Sequence, residues 1–190
     1  YKRDRLEATS GLFCKKIQVI TDTLDNFCND HAIDHIHFLK MSAEGAEYDV
    51  LKGAKSLLTQ KKIDFIQFGY GDAYEDAGRS LKEVYELLCN HEYEIFKMYS
   101  DKIVHIKKWH DVFEHVKQAH FLAISRSISD YSLEMQMVFE AEKDRPRCMD
   151  GTDATHMTLL LAAVMHTQGP ILEMGVGDLS TPLLHALCIK

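Results

Sequence analysis

Paired cysteines are missing from this 190-residue chain: Cys14, Cys28, Cys89, Cys148 and Cys188 are odd in number and scattered, with no CxxC. They offer neither a disulfide framework nor a zinc ribbon, so a reduced, cytoplasmic setting is the expectation. Long apolar runs are missing too. None reaches the length of a membrane span, and the first residues lack the apolar core of a secretion signal, so no membrane partner is expected. Positive charge is scarce: 22 Lys and Arg against 29 Asp and Glu leave a net charge of -7. That balance gives no general attraction to nucleic acid or anionic lipid. The basic stretch Lys102 to Lys108 holds three lysines and reads as a solvated edge strand. Trp109 with Tyr93, Phe96, Tyr99 and Phe113 has no basic stripe beside it and reads as core, not as a stacking platform for bases. Histidines cluster at His31, His35 and His37, but in strand-like geometry only His35 and His37 share a face. No acidic or cysteine partner stands at a characteristic spacing, so no metal is expected.

What is present is a hydrophobic share of 46%, enough for a real core in one ordinary domain or in pieces of two. Tyr1 and Lys190 read as cuts rather than natural ends. Ile17 to Ile20 alternates like a short strand, and Thr21 and Asp22 offer caps for a helix carrying Leu24, Phe27 and Cys28. A strand follows at Ile36 to Met41, a helix near Gly45 to Thr59, and a second strand at Ile63 to Phe68. A polar, glycine-bearing loop (Gly69 to Arg79) leads to Ser80, which caps a helix with Leu81, Val84, Tyr85, Leu87 and Leu88. Tyr93 to Met98 and Lys102 to Ile106 read as a strand pair, Trp109 to Val116 as a short helix, and Ala119 to Ser125 as a buried strand. Strands alternating with helices predict an α/β protein, and the late strand pair predicts an antiparallel edge.

The organising stretch is Phe38-Leu39-Lys40-Met41-Ser42-Ala43-Glu44-Gly45-Ala46-Glu47, continuing through Val50, Leu51, Gly53 and Ala54. An apolar strand turns at Glu-Gly into helically spaced apolar residues, which places Ser42, Glu44 and Gly45 on the rim where an open α/β sheet binds ligands. This stretch resembles the signature of FkbM-family methyltransferases, where a lysine, an acidic position and Glu-Gly-Ala-Glu precede Leu-Lys-Gly-Ala. Thr23-Leu24-Asp25 resembles a triplet upstream of that signature. Three rim positions depart from the family pattern together. Ser42 stands where aspartate is usual, Gly69 where Gln-Phe-Glu-Tyr has its acid, and His120 in the place of the asparagine of Asn-Phe-Leu-Ala. Glu44 and Glu47 are the candidate catalytic groups, for acid/base work or for orienting substrate. The competing reading is that carboxylates simply favour a helix N-terminus.

Beyond Ile128 the character changes. A helical stretch (Leu133, Met137, Val138, Phe139) runs through charged residues to Arg145-Pro146-Arg147, a linker. An apolar helix at Ala154 to His166 ends at Gly169-Pro170. Ile171-Leu172-Glu173-Met174-Gly175-Val176-Gly177-Asp178-Leu179-Ser180 then reads as strand, glycine turn and helix start, with backbone open to a nucleoside cofactor. It resembles the first motif of class I S-adenosylmethionine-dependent methyltransferases. The resemblance implies cofactor-binding roles for Glu173, Gly175, Gly177, Asp178 and Ser180, with S-adenosylmethionine as cofactor.

Residues 1–128 thus resemble the C-terminal half of an FkbM methyltransferase domain, 129–152 form a helix and linker, and 153–190 resemble the N-terminal start of a methyltransferase domain. The resemblance implies a class I, Rossmann-like sheet, incomplete or circularly permuted, in which the strand Ile171 to Met174 lies parallel to and beside Ile36 to Met41. It also implies methyl transfer to an oxygen of a small molecule or saccharide. The alternative is a catalytically degenerate module that binds a partner. A homodimer or a neighbouring methyltransferase domain is the expected protein partner.

Overall fold

The computed structural model describes residues 20–99, 103–116, 118–128 and 170–174. Helix α1 (Leu24–Asp30) is followed by β1 (Ile36–Met41), α2 (Glu47–Lys52), α3 (Lys55–Thr59) and β2 (Ile63–Gly71). Then come α4 (Asp72–Asp76), α5 (Leu81–Asn90), β3 (Tyr93–Met98), β4 (Ile103–His105), a 3₁₀ turn (Asp111–His115), β5 (Gln118–Ser125) and β6 (Ile171–Met174). The strands form one mixed six-stranded sheet in the order β4-β3-β5-β2-β1-β6.

β1 pairs in parallel with β2 on one side and with β6 on the other. β5 runs antiparallel between β2 and β3, and β4 closes the far edge as an antiparallel partner of β3. The expected α/β organisation and antiparallel edge are both present. The expected placement of Ile171 to Met174 is present too, with Phe38 opposite Ile171 and Met41 opposite Met174. The pairing continues past the strand ends, where the Ser42 amide donates to the Met174 carbonyl at 2.7 Å.

Period-two alternation assigns the faces of the central strands. Leu39 and Met41 lie in register with Ile66 and Phe68, and all four are buried in a cluster with Leu51 and Leu58 of the first helical pair and Val84 and Leu88 of α5. Burying each such side chain stabilises the fold by about 1.5–3 kcal/mol. On the opposite face Phe38 stacks on Phe65 with centroids 6.5 Å apart, and Lys40 lies beside Gln67. α5 begins with the expected Ser80 cap, a reciprocal capping box with Glu83. The Glu114 carboxylate adds to this helix start, accepting from the Leu81 and Lys82 amides at 3.1 and 2.8 Å and from the Tyr70 hydroxyl at 2.8 Å.

Local details differ from the sequence reading. The cap of α1 is Thr23, whose Oγ1 accepts from the Asn26 amide, while Asp22 accepts from the Thr23 amide and the Asn26 side chain. The single helix expected near Gly45 to Thr59 is two short ones broken at Gly53-Ala54. The break lets the chain dock on α1: the Asp25 amide donates to the Gly53 carbonyl at 2.9 Å, and a Cβ on Gly53 would lie 3.3 Å from the Thr23 Cβ. The Asp25 carboxylate then accepts from the Ser56 and Leu57 amides, capping α3. Thr-Leu-Asp and Leu-Lys-Gly-Ala are therefore two halves of one packing contact. β2 also runs on to Gly71 and enters α4 directly, in a segment whose polar composition reads as loop. Ile17 to Val19, the helical stretch and linker at 129–152, the helix at 154–166 and the turn carrying Gly175, Gly177, Asp178 and Ser180 lie outside the described residues.

Candidate active site at the carboxyl edge of the sheet

The carboxyl ends of β1, β2 and β6 lie side by side, which brings the signature stretch and the end of the Ile171 strand to one rim. At its centre is Lys40, a charged residue with 3% exposure one position before the end of β1. A buried ammonium requires partners. Lys40 has two: its Nζ donates to Glu173 Oε1 at 2.9 Å and to Ser42 Oγ at 3.0 Å. Side-chain exposures of 4% for Lys40 and 11% for Glu173 make this an ion pair shielded from water, joining neighbouring strands whose residues are far apart in sequence. Gln67, buried and opposite Lys40 on β2, has an Oε1 that finds no hydrogen-bond partner among the described residues.

The turn after β1 is held in an uncommon conformation. Glu44 has φ +52° and Gly45 φ +96°, two consecutive left-handed residues of which only the second is suited to that region. Glu47, first residue of α2, holds them there. Its two carboxylate oxygens accept from the Ala43 and Gly45 amides, each at 2.9 Å, and the side chain is buried. Gly45 also presses on α4, where a Cβ would fall 2.3 Å from the Ala73 carbonyl oxygen. Behind Glu47 stands Tyr74, 1% exposed, whose phenol is pushed far above its ordinary pKa by burial and then by the Glu47 charge. Tyr70 packs against it edge-on at 4.8 Å and is raised as well, first by burial and then by its bond to Glu114.

The candidate residues thus divide. Ser42 and Glu44 are exposed at the rim, whereas Glu47 is buried with both oxygens turned to backbone amides. Glu44 precedes α2 and Glu47 opens it, so the two do not lie on one helical face. Gly69 and His120 meet across the β2–β5 pair, where a Cβ on Gly69 would sit 3.8 Å from the His120 ring. Lys40 and Gln67 were not among the predicted site residues. The signal for Lys40 was in the sequence, since a lysine flanked by Phe38, Leu39 and Met41 can stay buried only with an acid nearby.

A mixed sheet with the signature turn at the carboxyl end of β1, beside the end of β6, defines an α/β protein with one candidate rim. Residues 7–95 match the family model of the methyltransferase FkbM domain, which bears out the FkbM resemblance over that stretch. Among curated proteins, 2-O-methyltransferase NoeI of Sinorhizobium fredii (strain NBRC 101917 / NGR234) is 30% identical over 76 residues, covering 40% of this chain and 31% of that protein. The chain therefore spans about a third of the length of this relative. No solved structure gives a significant match. Among the described residues, no helix is long and apolar enough to cross a membrane.

Proposed function

We propose that the protein is an S-adenosylmethionine-dependent methyltransferase acting on an oxygen of a small molecule or saccharide. The observation that carries this reading is the parallel pairing of β6 with β1, sealed by Lys40 and Glu173. It sets the acid that precedes the glycine turn beside the FkbM-like turn on one rim. The FkbM domain match and the 2-O-methyltransferase relative support the same reading. So does the strand order: β6, β1, β2, β5 and β3 follow one another as the first, fourth, fifth, seventh and sixth strands do in a class I methyltransferase sheet. Joining of β6 to the sheet also supports a circularly permuted domain over severed tandem domains.

The rim suits a cofactor with a positively charged sulfur and a polar nucleoside. Glu173, Ser42 and the exposed Glu44 supply acidic and hydroxyl groups, and Gln67 Oε1 is a buried acceptor two positions along β2 from Gly69. When bound, S-adenosylmethionine supplies an electrophilic methyl group. Glu173 and the turn at Gly175 and Gly177 hold the cofactor in this reading, and Asp178 and Ser180 add polar contacts. Glu44 orients the acceptor hydroxyl or takes its proton. Glu47 keeps the rim in shape by holding the Ala43 to Gly45 amides, so that orientation of the acceptor rests on a fixed turn.

One observation favours a second reading, a module that has lost catalysis. Ser42 stands at the aspartate position of the family pattern and uses its hydroxyl on Lys40. Calorimetric titration of S-adenosylmethionine into the protein decides between them. Saturable binding that is lost in Gly177→Val, with the urea midpoint unchanged, supports methyl transfer. Absence of binding overturns it and leaves the non-catalytic module.

A further inference from the structure

At the other end of the strands from the rim, three metal-ligating side chains meet. His35 precedes β1, His37 is its second residue, and Asp64 is the second residue of β2, in register with His37. His35 and His37 are two apart in extended chain, so both point to one face, and Asp64 on the adjoining strand points the same way. The acidic partner that the spacing of the histidines fails to show comes from the next strand. His35 Nε2 lies 2.9 Å from Asp64 Oδ2, the two imidazole rings are 4.8 Å apart, and one ligand atom from each of the three residues falls within 4.8 Å of the others. His37 Nδ1 is buried and has no hydrogen-bond partner among the described residues. A buried polar nitrogen without a partner is costly, and here it sits in a set of two imidazoles and a carboxylate.

We propose that His35, His37 and Asp64 bind a divalent transition-metal ion of the zinc type. Two nitrogens and one oxygen are the donors that zinc takes in three-ligand sites, with a fourth position open. Tetrahedral coordination at about 2.0–2.1 Å needs ligand atoms about 3.3 Å apart. Closing the observed spread to that value requires His35 and His37 to rotate about their side-chain bonds, and His35, with its side chain 38% exposed, has room to turn. The ion lies between His35 Nε2 and Asp64 Oδ2, displacing their hydrogen bond, and gives His37 Nδ1 its partner. It crosslinks the start of β1 to the start of β2. The proposal is independent of methyl transfer.

The test uses the metal-free protein with Zn²⁺, read by calorimetry against a competing chelator, and with Co²⁺, read by its visible absorption. One equivalent should bind and raise the thermal midpoint. Asp64→Asn and His37→Gln should each weaken binding at least tenfold and abolish the midpoint shift, with metal-free urea midpoints checking that each variant folds. His35→Gln, at a position outside the strand, carries the same expectation should the variants within the strands fail to fold. Failure of the wild type to bind either ion overturns the proposal, as does unchanged binding in the variants, which places the ion on other histidines. A midpoint that falls in Asp64→Asn but never responds to metal means an ordinary His35–Asp64 ion pair, and likewise overturns it.

Discussion

Replacing Lys40 with methionine tests the link between the two motif-bearing strands. The Lys40 ammonium lies 2.9 Å from the Glu173 carboxylate, with side-chain exposures of only 4% and 11%. Removing the cation leaves a carboxylate poorly reached by water, and the loss expected on breaking such a pair is about 3–5 kcal/mol. Glu173→Gln keeps a carbonyl oxygen for the ammonium to bond, so its loss should be smaller, about 1.5–3 kcal/mol for a charged hydrogen bond. The double variant Lys40→Met/Glu173→Leu replaces the pair with packed apolar groups and should recover at least half of the Lys40→Met loss. Urea unfolding measures all three, with the slope checked for constancy so that a change in midpoint is a change in stability. A Lys40→Met loss below about 1 kcal/mol would show that the pair is solvated. A double variant whose loss equals the sum of the losses of Lys40→Met and of Glu173→Leu measured alone would show that the two residues are not coupled. Either result refutes the argument that an ion pair ties β6 to β1.

Gly45→Ala should cost about 2–5 kcal/mol in urea unfolding, because φ is +96° and the new methyl falls 2.3 Å from the Ala73 carbonyl oxygen; a loss below 1 kcal/mol would mean that the turn relaxes freely. Ser42→Asp should leave the thermal midpoint within a few degrees, since the position is exposed and the new carboxylate faces the Lys40 ammonium; a large fall would mean that Ser42 is core. Asp25→Ala should cost about 0.5–2 kcal/mol by uncapping α3, and a neutral result would contradict the capping role. Stability should decline above about pH 10, where the unfolded chain ionises tyrosines that the fold keeps protonated. Tyr74 and Tyr93 are both buried and raised, chiefly by burial, so each contributes a decline of about 1.4 kcal/mol per pH unit through that window. Tyr74→Phe should flatten the high-pH slope measured by urea unfolding, and an unchanged slope would mean that Tyr74 ionises as readily folded as unfolded.

Much of the fold was legible because its signals are local. Apolar runs marked β1 and β2, Ser80 marked the start of α5, and the Glu-Gly after the first run marked a strand entering a turn. Boundaries set by contact between distant residues were not legible. Gly53 ends α2 because Thr23 and Asp25 dock against it, and no periodicity within residues 45–59 records that contact. β2 reaches Gly71 because β5 supplies partners as far as Gln118, opposite a stretch whose composition reads as loop.

The candidate site shows the same division. Sequence alone put Ser42, Glu44 and Glu173 near strand ends on the rim, through motif order and strand period, but not Lys40 or Gln67. Tertiary structure decided what their side chains do. Glu47 turns inward to the Ala43 and Gly45 amides because two left-handed residues leave those N–H groups pointing at it. Lys40 meets Glu173, and His35 meets Asp64, only because parallel pairing brings separate strands into register. Side-chain chemistry is carried residue by residue along the chain, whereas charge pairing and ligand geometry depend on distances across the sheet. Those distances exist only once the backbone hydrogen bonds between strands have formed.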